Sequence, residues 1–249
     1  MTDPDIPESH PRYESLLTRH RIEAGVDLGI TSKQGLIAQG RGEAFDYLLG
    51  EQTIPTAAEA AEVAAALLLE AAHPVISVNG NVAALVPDAT VAVATATEAA
   101  LEINLFHASE QRREAIAAHL RAHGADAVGG FARDATIEGI DHARATVDAA
   151  GIAAADVVLV PLEDGDRAAA LAAAGKQEIV IDLNPLSRSM EAATVPVADN
   201  VMRAMPAIAA AAERLRSVDA TERRALIARF DADAARMAAE RAIRRGVLS

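Results

Sequence analysis

Four consecutive apolar residues lie near the middle of the chain, in Val157-Val-Leu-Val-Pro161, and the polar run Leu162-Glu-Asp-Gly-Asp-Arg167 follows them directly. A short β-branched run without polar residues is typical of a strand that is buried on both faces. An Ala-rich segment with helical spacing follows at residues 166–174. A strand, a polar turn and a helix in succession form the unit from which parallel α/β sheets are built.

The same unit recurs on both sides of this segment. Strands are predicted at residues 75–78, 102–105, 127–129, 157–160, 178–181 and 195–197. Helices are predicted at residues 83–96 (interrupted near Pro87), 110–123, 166–174 and 201–215. Because short buried strands joined by helices run parallel, the sequence predicts an α/β fold with a doubly wound, mostly parallel, Rossmann-like sheet.

Helical segments flank this sheet, and together they predict one domain over residues 1–249. The N-terminal helical part, residues 1–72, is predicted to contain helices at 10–29, 43–49 and 56–72. Pro11 suits the first turn of the first helix, Thr56 can cap the third, and a Gly-punctuated stretch at 35–42 precedes the second. The sheet core covers residues 73–216. Residues 217–249 predict a long amphipathic C-terminal helix, and each flanking part either packs on its own domain or forms an oligomer contact.

Composition excludes several classes of protein. No stretch of eighteen uninterrupted apolar residues is present, and residues 1–10 carry acids and prolines instead of a signal sequence. The chain has no Cys, so it has no disulfide, thiolate metal site or Cys nucleophile, and its seven His show no HExxH spacing. We expect a cytoplasmic protein that is not bound to a membrane.

The charge balance is strongly acidic. The net charge of −13 disfavours nucleic acid as a partner, because phosphate binding requires a basic surface. Only Lys33 and Lys176 are Lys among 23 basic residues. An acidic, Ala-rich chain with little Lys predicts a high-salt cytoplasm, where screening weakens charge repulsion. The alternative explanation of this composition is mutational drift in a GC-rich genome, which also favours Ala and Arg over Lys.

Polar residues follow almost every predicted strand. The segments that contain them are Asn79-Gly-Asn81, Asn104 with Phe106 nearby, Leu162 to Arg167, Asp182-Leu-Asn-Pro-Leu-Ser-Arg188, and Asp199 with Asn200. Ligands of open parallel sheets bind beyond the carboxyl ends of the strands, where helix N-termini attract phosphate. Singly, each group has a structural interpretation: Asn-Gly forms turns, and Asp182 and Asn184 can shape a strand-to-helix turn. Residues 163–166 can cap the next helix or bind magnesium, so the metal ligands stay unassigned.

Arginine supplies the candidate phosphate-binding side chains. Arg41 lies between Gly40 and Gly42, which would let the backbone approach a ligand, and a guanidinium can clamp a phosphate with two hydrogen bonds. The alternative is an Arg in a solvated loop, and Arg19 by itself is more often a surface charge. Neither GxxxxGK[ST] nor a helix-opening GxGxxG is present, so a P-loop and the usual NAD fingerprint are excluded.

Six strings occur in the order of a known family. They are Ser9-His-Pro-Arg-Tyr-Glu-Ser-Leu16, Gly35-Leu-Ile-Ala38, Gly40-Arg-Gly-Glu-Ala-Phe-Asp-Tyr47, His73-Pro-Val-Ile-Ser-Val-Asn-Gly-Asn81, Val158-Leu-Val-Pro-Leu-Glu-Asp-Gly-Asp-Arg167 and Ile181-Asp-Leu-Asn-Pro-Leu-Ser-Arg188. The chain from about Ser9 to Pro206 resembles the archaeal 4-phosphopantoate–β-alanine ligases (phosphopantothenate synthetases). No string of the family is found from Thr221 onward. Gln39 stands where the family often has His, which puts a proton-transfer role there in doubt.

The resemblance implies an enzyme of coenzyme A biosynthesis: an ATP- and Mg²⁺-dependent ligase. It would condense 4-phosphopantoate and β-alanine to 4-phosphopantothenate, AMP and pyrophosphate through an acyl-adenylate. It also implies a homodimer with a Rossmann-like core. By resemblance, the nucleotide contacts are Arg19, Arg41, Asp182, Leu183, Asn184, Arg188, Ser189, Asn200 and Val201, with Arg19 and Arg41 catalytic. The 4-phosphopantoate contacts are taken as Asn79, Asn81, Asn104, His142 and Arg144, although a lone His in a loop is more often structural.

Two other functions are compatible with the predicted fold. One is a Rossmann-type enzyme that binds NAD(P) or a sugar phosphate, against which the missing GxGxxG counts. The other is a nucleotide-binding regulator without catalytic activity. Turnover of 4-phosphopantoate with AMP formation would distinguish the ligase from both.

Overall fold

The computed structural model describes residues 6–7, 9–10, 12–162 and 165–246. Its helices are α1 (Tyr13–Asp27), α2 (Lys33–Leu49), α3 (Pro55–Glu70), α4 (Gly80–Leu85), α5 (Pro87–Thr97), α6 (Glu110–Ala122), α7 (Gly165–Ala173), α8 (Arg188–Ala192), α9 (Val201–Leu215), α10 (Ala220–Arg229) and α11 (Ala232–Arg245), with a 3-10 turn at Ala143–Ala145. Its strands are β1 (Pro74–Val78), β2 (Ala100–Ile103), β3 (Ala135–Thr136), β4 (Thr146–Val147), β5 (Val157–Pro161), β6 (Gln177–Ile181) and β7 (Val195–Val197). Across these residues, no helix combines the length and apolar character that a membrane crossing requires.

The main sheet confirms the predicted parallel, doubly wound architecture. Its strand order is β2-β1-β5-β6-β7, and every neighbouring pair is parallel. In chain order these strands are the second, first, third, fourth and fifth, so the direction of winding reverses between β1 and β5. A small antiparallel hairpin, β3–β4, lies apart from this sheet and was not predicted, because each of its strands has only two residues.

Alternate residues of the central strands bury into two different cores. Ile76 and Leu159 pack with residues of α3, α5 and α9 on one face. Val158 and Val160 pack with the hairpin and α7 on the other. Full burial of such a side chain stabilises the fold by about 1.5–3 kcal/mol. Burial on both faces explains why these strands are continuous apolar runs without alternation.

The second N-terminal helix is longer than predicted. Residues 35–42 were predicted to be a Gly-punctuated stretch before a helix at 43–49, and that prediction is wrong: α2 is continuous through all three glycines. The Ser32 hydroxyl caps its start by accepting from Gly35 N at 3.2 Å, and Gly50 ends it in the left-handed conformation at φ 85°. Internal Gly costs a helix about 1 kcal/mol each, so packing of α2 on α1, α4 and α11 overrides its propensity.

Two further details differ from the prediction. Thr56 does not cap α3, because Pro55 occupies the first helical position and Ile54 the cap. Residues 127–129 form a single parallel bridge between Gly129 and Glu102 instead of a sixth strand. Pro11, predicted in the first turn of α1, lies outside the described residues.

The tail forms two helices instead of the one long helix predicted. Asp231 separates them and caps α11, accepting a hydrogen bond from Ala234 N at 2.9 Å. The two helices pack in different places, α10 on α3 and α11 on α2, α3 and β7. The extended backbone at Phe230, with ψ 129°, makes the break, and both helices pack on their own chain.

Candidate active site

One large cavity lies at the carboxyl edge of the parallel sheet. Its volume is about 740 Å³, and residues that follow β1, β2, β5, β6 and β7 line it, with α2 on the opposite side. It spans the point between β1 and β5 where the winding reverses, which is the usual ligand crevice of such sheets. The cavity therefore lies where the polar strand ends predicted a ligand site.

The structure brings eleven of the fourteen predicted site residues to this cavity. They are Asn79, Asn81, Arg41, Arg144, Asp182, Leu183, Asn184, Arg188, Ser189, Asn200 and Val201. The three that lie elsewhere are Arg19, Asn104 and His142. Gln39, the position where the family often has His, is buried and also lines the cavity.

The charge of the cavity is opposite to that of the whole chain. Among its described lining residues are four arginines, Arg41, Arg112, Arg144 and Arg188, and one carboxylate, Asp182. The chain as a whole carries a net charge of −13. Since cations are concentrated here on an acidic protein, the cavity suits a ligand with several negative charges.

Helix α2 brings Arg41 to the cavity. A Cβ at Gly35 would collide with Asn81 and Thr31, so glycine there lets α2 approach α4 closely. The Asn81 side chain fixes this contact, accepting from the Thr31 hydroxyl and donating Nδ2–H to Gly35 O at 3.0 Å. Arg41, two turns further along α2, is exposed at the cavity wall. The ligand interpretation of the Gly40–Gly42 segment thus involves a helix face instead of a loop.

The turn after β6 is organised around Asp182. Its carboxylate accepts from Asn184 N at 3.0 Å and from the Ser187 hydroxyl at 2.7 Å. Burial raises the pKa of Asp182, while these hydrogen bonds and the charge of Arg41 act in the opposite direction. Asp182 and Asn184 thus shape the turn, as one of the two interpretations predicted, and both also line the cavity. Arg188, at the start of α8, forms an exposed ion pair with Asp166 at 2.6 Å.

The N-terminus of α9 opens onto the same end of the cavity. Asn200 caps this fifteen-residue helix by accepting from Met202 N at 3.1 Å, and its Nδ2–H donates to Asp46 Oδ2 at 2.7 Å. Positive helix-dipole charge and main-chain N–H groups at such an end favour an anion. Val201, the first residue of α9, lines the cavity beside Asn200.

A buried ion network holds the outer side of α2 to α9. Arg203 binds Asp46 at 2.5 Å and Asp199 at 2.7 Å, and its side chain is 13% exposed. Burial alone would lower the pKa of Arg203, but the two carboxylates raise it above its ordinary value. Burial likewise raises the pKa of Asp199, against the effect of Arg203 and of a 2.6 Å hydrogen bond from Thr53. This network supports the cavity wall from behind.

The floor of the cavity is the loop between β1 and α4. Asn79 Oδ1 accepts from Asn81 N and Val82 N, at 3.0 and 3.1 Å. Its Nδ2–H donates to Pro161 O at 2.9 Å, which ties the ends of β1 and β5 together at the reversal point. Asn79 and Asn81 thus have their amide groups engaged in holding the floor and the α2 wall.

The end near β2 contains residues that sequence analysis did not assign. Phe106, His107 and Arg112 line the cavity together with Arg144 of the 3-10 turn. Asn104 lies behind Arg144 and donates Nδ2–H to its carbonyl at 3.2 Å. The ring of His142 packs on Phe106, with centroids 4.9 Å apart. The sequence offered one indication for Arg112: it lies in the first turn of the helix that follows β2, near the edge where a ligand was predicted.

Arg19 lies outside the cavity. Its guanidinium binds Glu43 Oε2 at 2.9 Å and donates to the Tyr47 hydroxyl at 3.0 Å. Both partners belong to α2, so Arg19 links α1 to the helix that carries Arg41. The hydrogen bond to Glu43 raises the pKa of Arg19.

The described residues contain no cluster of three His or carboxylate side chains that could bind a metal ion without other ligands. Mg²⁺ in nucleotide sites needs only one or two carboxylates, because substrate phosphates and waters supply its other ligands. Asp182, which lines the cavity at its β6 end, fits that mode. Glu163 and Asp164, the other acidic candidates, lie outside the described residues.

Comparison with known proteins places the chain in a family. A model of the phosphopantothenate/pantothenate synthetases matches residues 56–246. The chain belongs to this family. It is 52% identical over 227 residues to the 4-phosphopantoate–β-alanine ligase of Methanosarcina mazei. The matched region covers 91% of this chain and 89% of that protein. The ligases of Thermococcus kodakarensis and Methanospirillum hungatei are 49% and 53% identical, over 91% and 82% of this chain and 87% and 83% of their own lengths.

The family match also covers most of the tail. It extends through residue 246, whereas the resemblance found in the sequence ended near Pro206. Helices α10 and α11 are therefore part of the pattern that defines the family, which agrees with their packing on α2 and α3.

Proposed function

We propose that this protein is an ATP-dependent 4-phosphopantoate–β-alanine ligase of coenzyme A biosynthesis. It would form 4-phosphopantothenate, AMP and pyrophosphate. Relatives about half identical over most of the chain carry that name. The observation that carries the proposal in this chain is the arginine-lined cavity at the reversal point of the sheet.

The nucleotide is proposed to occupy the β6–β7 end of the cavity. Arg41 and Arg188 lie there with the Asp182–Asn184 turn, Ser189 and the N-terminus of α9. Guanidinium groups and main-chain N–H groups complement phosphate oxygens. Asp182 is proposed to contact Mg²⁺, which neutralises phosphate charge when it is bound with the nucleotide.

The proposed chemistry has two steps. A carboxylate oxygen of 4-phosphopantoate attacks the α-phosphorus of ATP, and pyrophosphate leaves. The neutral amine of β-alanine then attacks the acyl carbon, losing a proton as the C–N bond forms, and AMP leaves. Negative charge gathers on phosphate oxygens in the first step, and Arg41 and Arg188 are placed to stabilise it. Binding the reactants together in one cavity removes much of the entropic cost.

Arg19 is proposed to act on the nucleotide through α2. It was predicted as a catalytic nucleotide contact, but its guanidinium binds Glu43 and Tyr47 on the outer side of that helix. Its link to α2 supports a positioning role for Arg41. Asn79, Asn81 and Arg144 remain proposed contacts of 4-phosphopantoate at the cavity surface, and Asn104 and His142 are proposed to support Arg144 from behind.

A homodimer and a high-salt cytoplasm complete the proposal. Exposed apolar side chains on the N-terminal helices, including Ile37 at 74% and Leu48 at 46%, support a contact between two copies. Light scattering of the purified protein tests the mass of the assembly. The acidic composition supports work in concentrated salt. Residues 1–249 are proposed to act as one domain, since α1–α3 and α10–α11 all contact other parts of the chain.

The decisive experiment is product analysis with purified protein. ATP, 4-phosphopantoate and β-alanine should yield 4-phosphopantothenate and AMP in equal amounts. ADP in place of AMP would contradict the adenylate route. ATP binding without turnover would favour a regulator, and tight NAD(P)H binding without ATP binding would favour an oxidoreductase.

A further inference from the structure

The arginines of the cavity lie at two separate ends. Arg41 and Arg188 belong to the end near β6, whereas Arg112 and Arg144 belong to the end near β2. Two strands, β1 and β5, lie between β2 and β6. Three inter-strand spacings of about 4.8 Å place the two ends about 14 Å apart. Asp182, the carboxylate among the described lining residues, lies at the β6 end.

This arrangement suits a ligand set with two separated anionic groups. The nucleotide is proposed at the β6–β7 end, with its α-phosphorus toward the centre of the cavity. The carboxylate of the acid substrate has to reach that phosphorus, so the opposite end of the same molecule points toward β2. In 4-phosphopantoate that opposite end is the phosphate.

Arg112 is held in a way that keeps its charge for a ligand. It lies in the first turn of α6, and its Nη1–H donates to the carbonyl of His107 at 2.9 Å. Within the described part of the chain, its buried Nε has no hydrogen-bond partner and no carboxylate pairs with the side chain. Anchoring by a main-chain carbonyl orients a guanidinium without neutralising it, and the other N–H donors of the fork stay available.

The next residue along α6 provides an internal comparison. Arg113 is also half-buried, but it lines a separate small void with Arg133 and Asn104 instead of the main cavity. The two arginines share a helix, a charge and similar burial. They differ in whether they face the space in which the substrate is proposed to bind.

We infer that Arg112 binds the phosphate of the acid substrate and makes the enzyme prefer the phosphorylated over the unphosphorylated acid. The inference rests on the proposed function, and it adds the residue that determines specificity. The family to which the chain belongs includes both phosphopantothenate and pantothenate synthetases, so this preference is a property that individual members have to encode.

The test compares Arg112→Ala with Arg113→Ala, using 4-phosphopantoate and pantoate as alternative substrates. Arg112→Ala should lower kcat/KM for 4-phosphopantoate about 10- to 100-fold, as expected for lost charge-assisted hydrogen bonds. The KM for ATP should stay nearly unchanged. So should kcat/KM for pantoate or, if pantoate is not turned over, its inhibition constant as a competitor. Arg113→Ala should keep the wild-type preference.

A conservative variant and a simple anion complete the design. Arg112→Lys keeps the charge without the fork, so it should retain part of the preference even if the alanine variant folds poorly. Inorganic phosphate should compete with 4-phosphopantoate in the wild type and less well in Arg112→Ala. An equal loss with both acids, or an unchanged preference in Arg112→Ala and Arg112→Lys, would overturn the inference. Absence of product from the wild type would instead overturn the proposed function.

Discussion

Arg41 of α2 and Arg203 of α9 lie on opposite sides of α2 and are used in opposite ways. Arg203 is buried between Asp46 and Asp199, and its guanidinium also reaches Glu14 at 3.1 Å. Arg41 is exposed at the cavity wall, and no described carboxylate pairs with it by ion pair or hydrogen bond. The first charge is balanced by the protein and holds α2 to α9. The second is left for a ligand. Changes at Arg203 should therefore lower the stability of the fold, and changes at Arg41 should lower the activity.

The largest effect is expected behind the cavity. Arg203→Met should lower the free energy of unfolding by about 3–5 kcal/mol, because it leaves Asp46 and Asp199 buried without their cation. Denaturant titration measures this change. Arg214→Met, which breaks an exposed pair with Glu62, is the matched control and should cost less than about 1 kcal/mol. If both variants lower the free energy of unfolding equally, the buried network stabilises the fold no more than the exposed ion pair does.

At the cavity wall, the expected loss is in activity. Arg41→Ala should lower kcat/KM for ATP by about 10²–10³-fold, the range for removing one group that stabilises charge in a transition state. Its unfolding midpoint should match that of the wild type, because Arg41 supports no packing. Arg41→Lys should also be impaired, since an ammonium cannot form the paired hydrogen bonds of the fork. Turnover near the wild-type rate would remove Arg41 from the site.

A third charge, Glu102, is buried and balanced by main-chain groups instead of an ion pair. It is 1% exposed and accepts from Asp148 N and Ile152 N at 3.1 and 2.6 Å, which ties the hairpin region to β2. Burial raises the pKa of Glu102 from 4.5 to about 7, although the hydrogen bonds from Ile152 N and Asp148 N oppose the rise. The folded state therefore binds this proton more tightly than the unfolded state.

The stabilisation from the Glu102 proton is complete below pH 4.5 and is lost as pH rises through about 7. Its full size is about 3 kcal/mol. Glu102→Gln should remove this loss, so the stability of the variant relative to the wild type should increase between pH 4.5 and pH 8. Urea titrations across this range test it, with exposed Glu138→Gln as the control. Parallel profiles for Glu102→Gln and the wild type would contradict the raised pKa.

Salt should have the smallest effect. Screening at about 1–2 M potassium chloride weakens repulsion among the exposed acids that give the chain its charge of −13. Buried pairs such as Arg203 with Asp199 are screened less, so we expect activity to persist or rise modestly. Steady-state assays across potassium chloride concentrations measure it. Inactivation by salt would contradict the high-salt prediction and leave the enzyme assignment untouched.

Sequence reasoning was most accurate where local signals and burial agree. Val157–Pro161 reads as a strand because every residue is apolar and buried, and the polar residues after β1 and β6 do meet at one edge. It was least accurate for α2, where Gly35, Gly40 and Gly42 oppose a helix locally. Close packing of Gly35 on Asn81 supplies a stabilisation that no local window contains.

The candidate arginines show the same limit. Arg19 and Arg41 were both predicted to bind the nucleotide. Arg19 instead forms an ion pair with Glu43 of the neighbouring helix, whereas Arg41 lines the cavity. Arg112 gave no stronger signal than Arg113 beside it, although only Arg112 reaches the cavity. Which charges are paired depends on contacts between distant segments, and sequence spacing does not report those contacts.

The order of residues was enough to predict the layered α/β architecture, the sheet edge at which the cavity lies and the family to which the chain belongs. Those properties depend on local hydrophobic runs and on the residues directly after them. The folded arrangement alone shows which arginines pair with carboxylates, as Arg19 and Arg203 do, and which line the cavity, as Arg41 and Arg112 do. A guanidinium has the same charge in either place, and its role is set by the groups that folding brings within a few ångströms of it.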